Sequence, residues 1–506
     1  MDSGKETRLG ILESDAKRDI IEPFEKHNWE CSIDGQFPNG EYIVVKLKKS
    51  NAEFKVGLLY SCATANGIYK ILDRTVDLIV LNGGFYHLES YAYGIETEVI
   101  EKSSIQTYVI KWNSLVSEGK ISAGGPEKPK IKPREFTSHI QSESPIKQIW
   151  SRIKQFKTKG LSKKIVVERY ASEGITYSSE SLESKAEGLA FCIQNGCDYF
   201  EAASEQKLNQ RIVSLYYGAI AFASAEMLAS PEGPESLDEV ENMTKFGHGL
   251  YTFDSIDDNS FEGFVVGVLS NGFFKKWVEF LGADVTSFPA KKPKKPTDID
   301  LSKNEVTTLI ELFSRIPELE DLFLLVTSSP TNWLTFNHDS EANGGFGFNK
   351  PRLRETYVTI NDISCSKSKE DIADLSLPLD QIEYQTSEYP GLHFKALVKH
   401  PGDEYWHGAV KQHRSPYTSS SVIIPVFGSV GEYRAICVAL LYSLSILVRY
   451  RPSIWREVVS GKHENYLALI EEFLDVYERL APQEFFENLL SKQIHVTQSG
   501  SMFAQM

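Results

Sequence analysis

The sequence predicts an α+β protein in which a small N-terminal α/β domain is followed by a large, mainly helical region. Segments rich in β-branched residues are concentrated in the first 81 residues, whereas helical spacing of apolar residues dominates from residue 145 onward. Residues 117–134 lie between these parts and combine glycine, proline and charged residues. At 506 residues the chain is several times the usual domain length, so we expect more than one core.

The N-terminal elements are expected in the order α-β-β-α-β. Ile20, Ile21 and Phe24 recur at helical spacing and predict a helix over residues 14–28. Apolar and β-branched residues then predict two strands, and Asn82-Gly83-Gly84 ends a third. The predicted segments after the first helix are strands at 42–48 and 54–62, a helix at 66–74 and a strand at 76–81.

Two segments are predicted to be linkers. Residues 117–134 cannot bury enough apolar surface to offset chain entropy, and residues 289–296 (PAKKPKKP) are basic and interrupted by proline. Helices are expected within 145–228 and at 305–323, 435–448 and 466–480, with strands at 357–360 and 422–426. The predicted organisation is a domain at 1–116, a linker at 117–144, helical halves at 145–288 and 301–495 separated by a basic linker at 289–300, and a tail at 496–506.

Composition favours a soluble cytoplasmic protein. The N-terminus has no basic and apolar signal-peptide pattern, and the six cysteines include no C-x-x-C pair, which is typical of reduced residues. The most apolar stretch, residues 435–448, is shorter than the ~20 residues that cross a bilayer, so no membrane association is expected. A net charge of −15 means that any nucleic-acid binding requires a local basic site.

The helical region carries a set of short motifs. They are Arg169-Tyr170, Lys185-Ala186-Glu187-Gly188-Leu189-Ala190, Tyr199-Phe200-Glu201-Ala202-Ala203, Leu215-Tyr216-Tyr217-Gly218, Gly247-His248-Gly249-Leu250 and Leu447-Val448-Arg449-Tyr450-Arg451-Pro452 followed by Trp455. As a set they resemble the YaaC-like family of bacterial proteins over about residues 145–486. This resemblance implies a helical architecture and no particular chemistry.

A looser resemblance connects the same helices to HEPN-type bundles, which bind or cut RNA in antiviral and toxin systems. It rests on the Tyr199–Ala203 helix followed by the helix with tandem tyrosines. HEPN nucleases present an arginine and a histidine, separated by four to six residues, to the RNA phosphate and 2′-hydroxyl. Arg456 and His463 fit that spacing and are the candidate catalytic pair; Arg134 and His139 also fit but fall in the linker. Two matches are close to the number expected by chance.

The N-terminal order also resembles a restriction-endonuclease core, in which an acidic residue and a Glu-x-Lys hold Mg²⁺ and activate water. Glu53 and Lys55 have the required types, with Asp34 or Glu41 upstream and Glu22 on the first helix. Three interpretations stay open: an active metal-dependent nuclease, a degenerate nuclease-like domain used for binding, and an unrelated α/β module.

Other candidate residues favour binding. His248 lies between two glycines, and Arg449 and Arg451 belong to a turn that runs to Trp455, so a small-molecule pocket is one hypothesis. Lys291, Lys292, Lys294 and Lys295 are either phosphate contacts or a solvated linker. A further group comprises His393, His400, His407 and His413 with Asp403 and Glu404; spacings of six or seven favour a surface over a metal site.

The leading functional hypothesis is a component of a bacterial antiviral (phage) defence or other nucleic-acid-directed system that acts with partner proteins. If it is an enzyme, a metal-dependent or HEPN-type nuclease is expected. One alternative is a non-catalytic scaffold, which predicts stable co-purification with another chain. The other is a small-molecule metabolic enzyme, which predicts a bound ligand.

Overall fold

The computed structural model confirms the α+β class, with 51% helix and 19% strand. It describes residues 3–36, 40–50, 52–84, 88–92, 95, 97–117, 137–173, 175, 177–245, 247–254, 260–295, 298–299, 305–343, 355–375, 377–400, 406–418 and 420–497. The chain divides into two compact units. The first comprises Met1–Arg134, Asp339–Tyr357 and Val398–Ala409, and the second Glu135–His338, Val358–Leu397 and Val410–Met506.

The N-terminal part of the first unit is a mixed five-stranded sheet with helices on both faces. In chain order its elements are α1 (Ser3–Ala16), a π-helical turn (Lys17–Ile21), α2 (Glu22–Glu25), β1 (Glu30–Gln36), β2 (Tyr42–Lys49), β3 (Ala52–Leu59), α3 (Asn66–Thr75), β4 (Leu78–Leu81), α4 (Leu88–Tyr91), β5 (Val99–Glu101), a 3₁₀ turn (Lys102–Ser104) and α5 (Ile105–Ser117). The sheet order is β1-β2-β3-β4-β5. Strands β1 to β3 are antiparallel, and β3, β4 and β5 are parallel.

Successive side chains along β2 point to opposite faces of the sheet and pack in two separate cores. Ile43, Val45 and Leu47 pack with the residues of α1 and α5, whereas Val44 packs with α3. Because both faces are covered, the strands are more uniformly apolar than those of a sheet exposed on one side, which made them recognisable in the sequence. The predicted strands and the predicted helix at 66–74 are confirmed. The first helix, predicted at 14–28, begins earlier, at Ser3, and continues through a π-helical turn to Glu25. Strand β1 (ECSIDGQ) was not predicted, because it has few β-branched residues.

From residue 137 onward, long helices are combined with three further sheets. The helices are α6 (Pro145–Gln155), α7 (Lys159–Glu173), α8 (Ser179–Glu205), α9 (Leu208–Ala229), α10 (Leu237–Lys245), α11 (Phe273–Phe280), α12 (Leu309–Phe313), a 3₁₀ turn (Pro317–Leu319), α13 (Glu320–Thr327), α14 (Lys369–Ala373), α15 (Trp406–Ala409), α16 (Tyr433–Tyr450), α17 (Pro452–Ser460) and α18 (Asn465–Leu490). The strands are β6 (Thr137–Gln141), β7 (Leu250–Phe253), β8 (Val265–Val268), β9 (Val306–Thr308), β10 (Trp333–His338), β11 (Glu355–Asp362), β12 (Leu379–Gln385), β13 (Leu392–Lys399), β14 (Ser421–Ile423) and β15 (Gln493–Thr497).

These strands form sheets of five, three and two members. Their orders are β12-β13-β11-β10-β14, β7-β8-β9 and β15-β6. Strand β6 pairs in parallel with β15 near the other end of the chain, joining Thr137 to Gln493 through Gln141 to Thr497. The sequence predicted β11 and β14 but not β10, β12 or β13.

The predicted helix at 305–323 is wrong as a single element. The segment is strand β9, helix α12, a 3₁₀ turn and helix α13. Pro317 begins the 3₁₀ turn because proline lacks the N–H that a continuous helix requires. The predicted helices at 435–448 and 466–480 are confirmed and extend further, as α16 and α18. Residues 289–295 contain no helix or strand, and most of the first linker lies outside the described residues.

Helices α8 and α9 form the centre of the second unit, and they approach closely at glycines. A Cβ on Gly196 would lie 2.3 Å from Cε1 of Phe222, and one on Gly218 would lie 2.8 Å from Cδ2 of Phe200. Helices α9 and α16 are long and apolar enough to cross a bilayer by length and composition. However, within an apolar stretch of 18 residues in each helix, 72% is buried inside the protein, as expected for core helices.

Candidate functional site

Three of the motifs that carry the family resemblance meet in the second unit, around His248. Tyr216 lies on α9, His248 lies in the loop before β7, and Arg449 lies in the last turn of α16. The loop turns at Gly247 (φ +88°) and Gly249 (φ +78°), a conformation that side chains other than glycine rarely adopt. Its backbone is fixed to the next helix, because the N–H of Phe274 donates to the His248 carbonyl at 2.9 Å.

The Tyr216 hydroxyl sets the tautomer of His248. Tyr216 is fully buried, and burial raises its pKa far above the usual value, so the phenol keeps its proton. Its oxygen lies 2.8 Å from Nδ1 of His248, which is its hydrogen-bond partner among the described residues. A buried hydroxyl proton needs an acceptor, so it points to Nδ1, and the imidazole proton is then on Nε2. His248 therefore presents Nε2–H as a hydrogen-bond donor.

His248 is also kept neutral. Burial lowers its pKa, and the positive charge of Arg449 lowers it further. Tyr442 completes the aromatic surroundings, with its ring centroid 5.8 Å from the imidazole and its hydroxyl donating to the Leu250 carbonyl at 2.9 Å. The half-buried imidazole is therefore uncharged at neutral pH.

Arg449 supplies a fixed cation beside this imidazole. Its Nε donates to the Ser445 carbonyl at 3.0 Å, and its Nη2 donates to Ser445 Oγ at 3.1 Å. These bonds hold the guanidinium against its own helix, and Nη1 makes no hydrogen bond within the described part of the chain. The exposed ring of Tyr450 lies 5.0 Å from the guanidinium carbon. The site thus combines guanidinium and imidazole donors, which suits an oxyanion.

The two neighbouring residues of the predicted turn have structural partners. Arg451 Nε donates to Asp254 Oδ1 at 2.6 Å, so its charge is paired. Trp455 Nε1 donates to Asn209 Oδ1 at 3.0 Å and attaches α17 to α9. Of the predicted binding residues, His248 and Arg449 are therefore the two that the structure brings close enough to interact electrostatically.

The predicted pair Arg456 and His463 is separated by a helix end. Helix α17 ends at Ser460, and Gly461 adopts an extended conformation (φ −132°, ψ −152°). Exposed Arg456 forms an ion pair with Glu457, and the backbone N–H of His463 donates to the carbonyl of the same glutamate. Among the contacts of the described residues, none joins the side chains of Arg456 and His463. The glutamate between them offsets the positive charge that HEPN chemistry would require.

The predicted nuclease residues are divided between the two ends of one hairpin. Lys48 pairs with Glu53 at one end of β2-β3, and Tyr42 pairs with Leu59 at the other, next to Glu41. Lys55 Nζ lies 2.7 Å from Asp34, and Glu53 lies 2.8 Å from Lys46. Glu53 and Lys55 therefore lie towards one end of the hairpin, each in an ion pair, Lys55 with Asp34 of β1, and Glu41 lies at the other end. Glu22 begins α2.

Metal ligation receives no support from the described residues. They contain no group of three or more His, Cys, Asp or Glu side chains that could hold a metal ion. Of the predicted lysines, Lys292 places its ammonium 4.7 Å from the Phe253 ring, while Lys291, Lys294 and Lys295 are exposed. In the histidine group, His393 contacts the Tyr389 carbonyl and His400 contacts Thr356 Oγ1, so each ring has a separate polar partner.

Sequence reasoning missed a second cluster of ionisable groups, around His413. This histidine is buried, contrary to the surface interpretation, with Nε2 2.6 Å from Glu318 and Nδ1 3.1 Å from Glu484. Its ring stacks on Tyr433 at 3.7 Å. Burial alone would lower its pKa, but the hydrogen bonds to Glu318 and Glu484 outweigh burial and raise the pKa to about 9. His413 is therefore an imidazolium at neutral pH.

The His413 cluster is better suited to holding the fold than to proton transfer. A general acid or base works best with a pKa near the operating pH, and His413 is well above it. Burial also raises the pKa of Tyr433 and of the Cys437 thiol far above their usual values, so neither is an activated nucleophile. A cavity of about 330 Å³ adjoins the cluster. Glu318 and Glu484 carried no sequence signal because they come from distant segments.

The fold and the His248 site define an α+β protein whose helical region assembles a donor-rich site from three of its motifs. Residues 154–489 match the family profile described as YaaC-like Protein, and the chain belongs to that family. This match confirms the resemblance seen in the motifs. No curated protein and no solved structure matches the chain.

Proposed function

We propose that this protein is a nucleic-acid-directed component of a bacterial antiviral system, and that its YaaC-like region binds a phosphate of single-stranded RNA between His248 and Arg449. The observation that carries the proposal is the convergence of these two motif residues, one offering Nε2–H and the other a guanidinium. A phosphodiester carries a negative charge and only acceptor oxygens at its phosphate, which complements this pair.

The surroundings of Arg449 favour a single strand. Tyr450 is 58% exposed and lies against the guanidinium. On the other side of the site, Tyr199 is 39% exposed and stacks on Tyr217, whose ring centroid lies 5.4 Å from that of Tyr216. Exposed aromatic rings next to a phosphate contact are the usual means of stacking unpaired bases. Because the whole chain carries a net charge of −15, binding requires such a local site.

The tautomer of His248 favours binding over cleavage. Removal of a proton from a 2′-hydroxyl requires a free ring nitrogen, and Nε2 carries its proton while Tyr216 donates to Nδ1. In this arrangement the imidazole hydrogen-bonds to a phosphate oxygen and stabilises its charge. Rapid cleavage of RNA would require the opposite tautomer, in which Tyr216 accepts from Nδ1–H.

Assignment to antiviral defence is supported by the HEPN-like helical pattern, and action with partner proteins belongs to the same hypothesis. It is tested by the efficiency of plating of phages on cells that express the protein with its natural gene neighbours. Protection should be lost with Arg449→Gln and retained with Arg456→Gln. Equal protection by both variants would separate defence from the phosphate site.

The binding test uses the full-length chain with end-labelled single-stranded RNA and DNA of one sequence, in EDTA and in Mg²⁺. Arg449→Gln should weaken RNA binding about tenfold and reduce the slope of log K against log salt by about 0.7, the change expected for one phosphate contact. Arg456→Gln is the matched arginine control. Glu53→Ala/Lys55→Ala should leave binding unchanged, because those side chains form ion pairs with Lys46 and Asp34.

Each other outcome has a defined meaning. Equal RNA affinity for Arg449→Gln and Arg456→Gln would reject the site. Mg²⁺-dependent cleavage lost in the Glu53/Lys55 variant would move the activity to the N-terminal sheet. If the wild-type protein binds neither nucleic acid and co-purifies with another chain, the scaffold hypothesis replaces this proposal.

A further inference from the structure

A second cavity, of about 530 Å³, lies between α6 and α8 in the YaaC-like region. Helix α6 contributes Lys147, Trp150 and Lys154, which are three or four residues apart and so share one face. Helix α8 contributes Cys197, Phe200, Glu201 and Ser204; Cys197 and Ser204 each lie three or four residues from the adjacent pair Phe200 and Glu201. The volume falls within the range of ~300–1,000 Å³ that is usual for small-molecule sites.

The floor of this cavity is aromatic. Half-buried Trp150 and buried Phe200 have ring centroids 5.5 Å apart and planes inclined at 55°. Phe222 supports the indole from the core at 6.1 Å. A large ring in a partly exposed position, backed by other rings, is a rigid platform for another planar ring.

The charged side chains around the rim of the cavity leave a net positive charge there. Glu478, which also lines the cavity, is paired with Arg211 at 2.7 Å. Lys154 forms an exposed, 3.4 Å contact with Glu201, a type of pair that contributes little and exchanges readily. Lys147 has no ion-pair partner among the described residues. An anionic group at this rim would therefore meet one unpaired ammonium and a second that is weakly held.

We propose that this cavity binds a nucleotide, with the base stacked on Trp150 and the phosphate contacted by Lys147 and Lys154. The two helix faces provide the ring platform and the cations that such a ligand requires. Ser204 Oγ donates its proton to the Glu201 carbonyl at 2.8 Å and offers an acceptor to the polar edge of the base. The site binds without covalent chemistry. Its one thiol, Cys197, is buried, and burial raises the pKa of that thiol to about 11.

The nucleotide is either free or part of an RNA strand, since both present the same base and phosphate. This proposal goes beyond the His248–Arg449 phosphate site and shares no residue with it. The two are therefore separable by single substitutions, and Arg449→Gln serves as the control that leaves this cavity intact.

The test is isothermal titration calorimetry of the full-length chain with AMP, ribose 5-phosphate, adenosine and an adenosine hexanucleotide. AMP should bind more tightly than ribose 5-phosphate or adenosine. Trp150→Leu, which retains an apolar floor, should weaken AMP binding by about fivefold or more, as loss of base stacking predicts. Lys147→Gln should weaken AMP binding and leave adenosine unaffected, and Arg449→Gln should change neither.

Equal affinity for AMP and ribose 5-phosphate, or unchanged AMP affinity in both Trp150→Leu and Lys147→Gln, would overturn the proposal. If Trp150→Leu lowers the melting temperature, the decision rests on Lys147→Gln, whose side chain is exposed. Tighter binding of the hexanucleotide than of AMP by the Arg449→Gln variant, in which the other phosphate site is disabled, identifies RNA as the source of the nucleotide, and the reverse identifies a free mononucleotide. Loss of RNA binding by Arg449→Gln with AMP binding retained would show that the two sites are independent.

Discussion

At the scale of single residues, two neighbours of His248 affect its protonation in different ways. Tyr216 determines which ring nitrogen carries the proton, and Arg449 makes a second proton unfavourable. Arg456 is in a different environment, because its exposed guanidinium forms an ion pair with Glu457. Both predicted sites combine an arginine with a histidine, but the groups around each arginine determine whether its charge is already paired.

This relation predicts that Arg449→Gln raises the pKa of His248. The guanidinium disfavours the imidazolium, so its removal moves the pKa upward, while the remaining burial keeps it below 6.5. The measurement is an NMR titration of the histidine ring protons, with the His248 signal assigned by its absence in His248→Asn. Arg456→Gln is the control and should leave that signal unchanged. An unaltered pKa in Arg449→Gln would show that the two groups are not electrostatically coupled.

At the scale of elements, the close approach of α8 and α9 depends on the absence of side chains at two glycines. Phe222 fills the space opposite Gly196, and its ring stacks on Phe485 with centroids 4.1 Å apart. The ring therefore has little room to retreat. Sequence periodicity predicted both helices, but the distance between them depends on how their side chains pack against each other.

Gly196→Ala should consequently destabilise the protein by about 1–3 kcal/mol, the usual cost of overpacking a core. The matched control is Gly160→Ala on α7, where a new Cβ would meet nothing within 4 Å. That change should be neutral or stabilising by up to about 1 kcal/mol, since alanine favours helix. Urea unfolding of both variants measures the difference. Similar stabilities would mean that Phe222 moves aside at little cost.

At the scale of the whole YaaC-like region, His413 connects segments that are far apart in the chain. It bonds to Glu318 in the 3₁₀ turn and Glu484 in α18, and stacks on Tyr433 at the start of α16. Because its pKa is raised from 6.5 to about 9, its contribution to stability is complete below pH 6.5. The contribution is lost as the pH rises through about 9.

His413→Gln should therefore lower the free energy of unfolding by about 3 kcal/mol at pH 6, as expected when one partner of a buried charge cluster is removed. The difference from the wild-type protein should shrink at pH 10, where His413 is neutral in both the folded and unfolded states. Urea unfolding of the two proteins at both pH values measures this. A difference that is the same at pH 6 and pH 10 would show that packing, and not the imidazolium, holds these segments together.

The sequence by itself determined the elements whose pattern is local. The strands β2, β3 and β4, the helix α3 and the long helices α16 and α18 follow from spacing that neighbouring residues fix. It also supplied the motifs that place residues 154–489 in the YaaC-like family. The histidine and the arginine of the candidate site were both singled out as binding residues, but nothing local showed that Tyr216 would fix the tautomer of that histidine.

Only the tertiary structure decided which of these residues meet. His248 and Arg449 converge because the loop before β7 and the end of α16 pack on α9, and Glu41 is separated from Glu53 because the register of β2 and β3 puts them at opposite ends. The cluster at His413 arises in the same way, from three segments without a common motif. Hydrophobic periodicity reports only whether a residue faces a core, whereas the partners across that core are set by long-range packing.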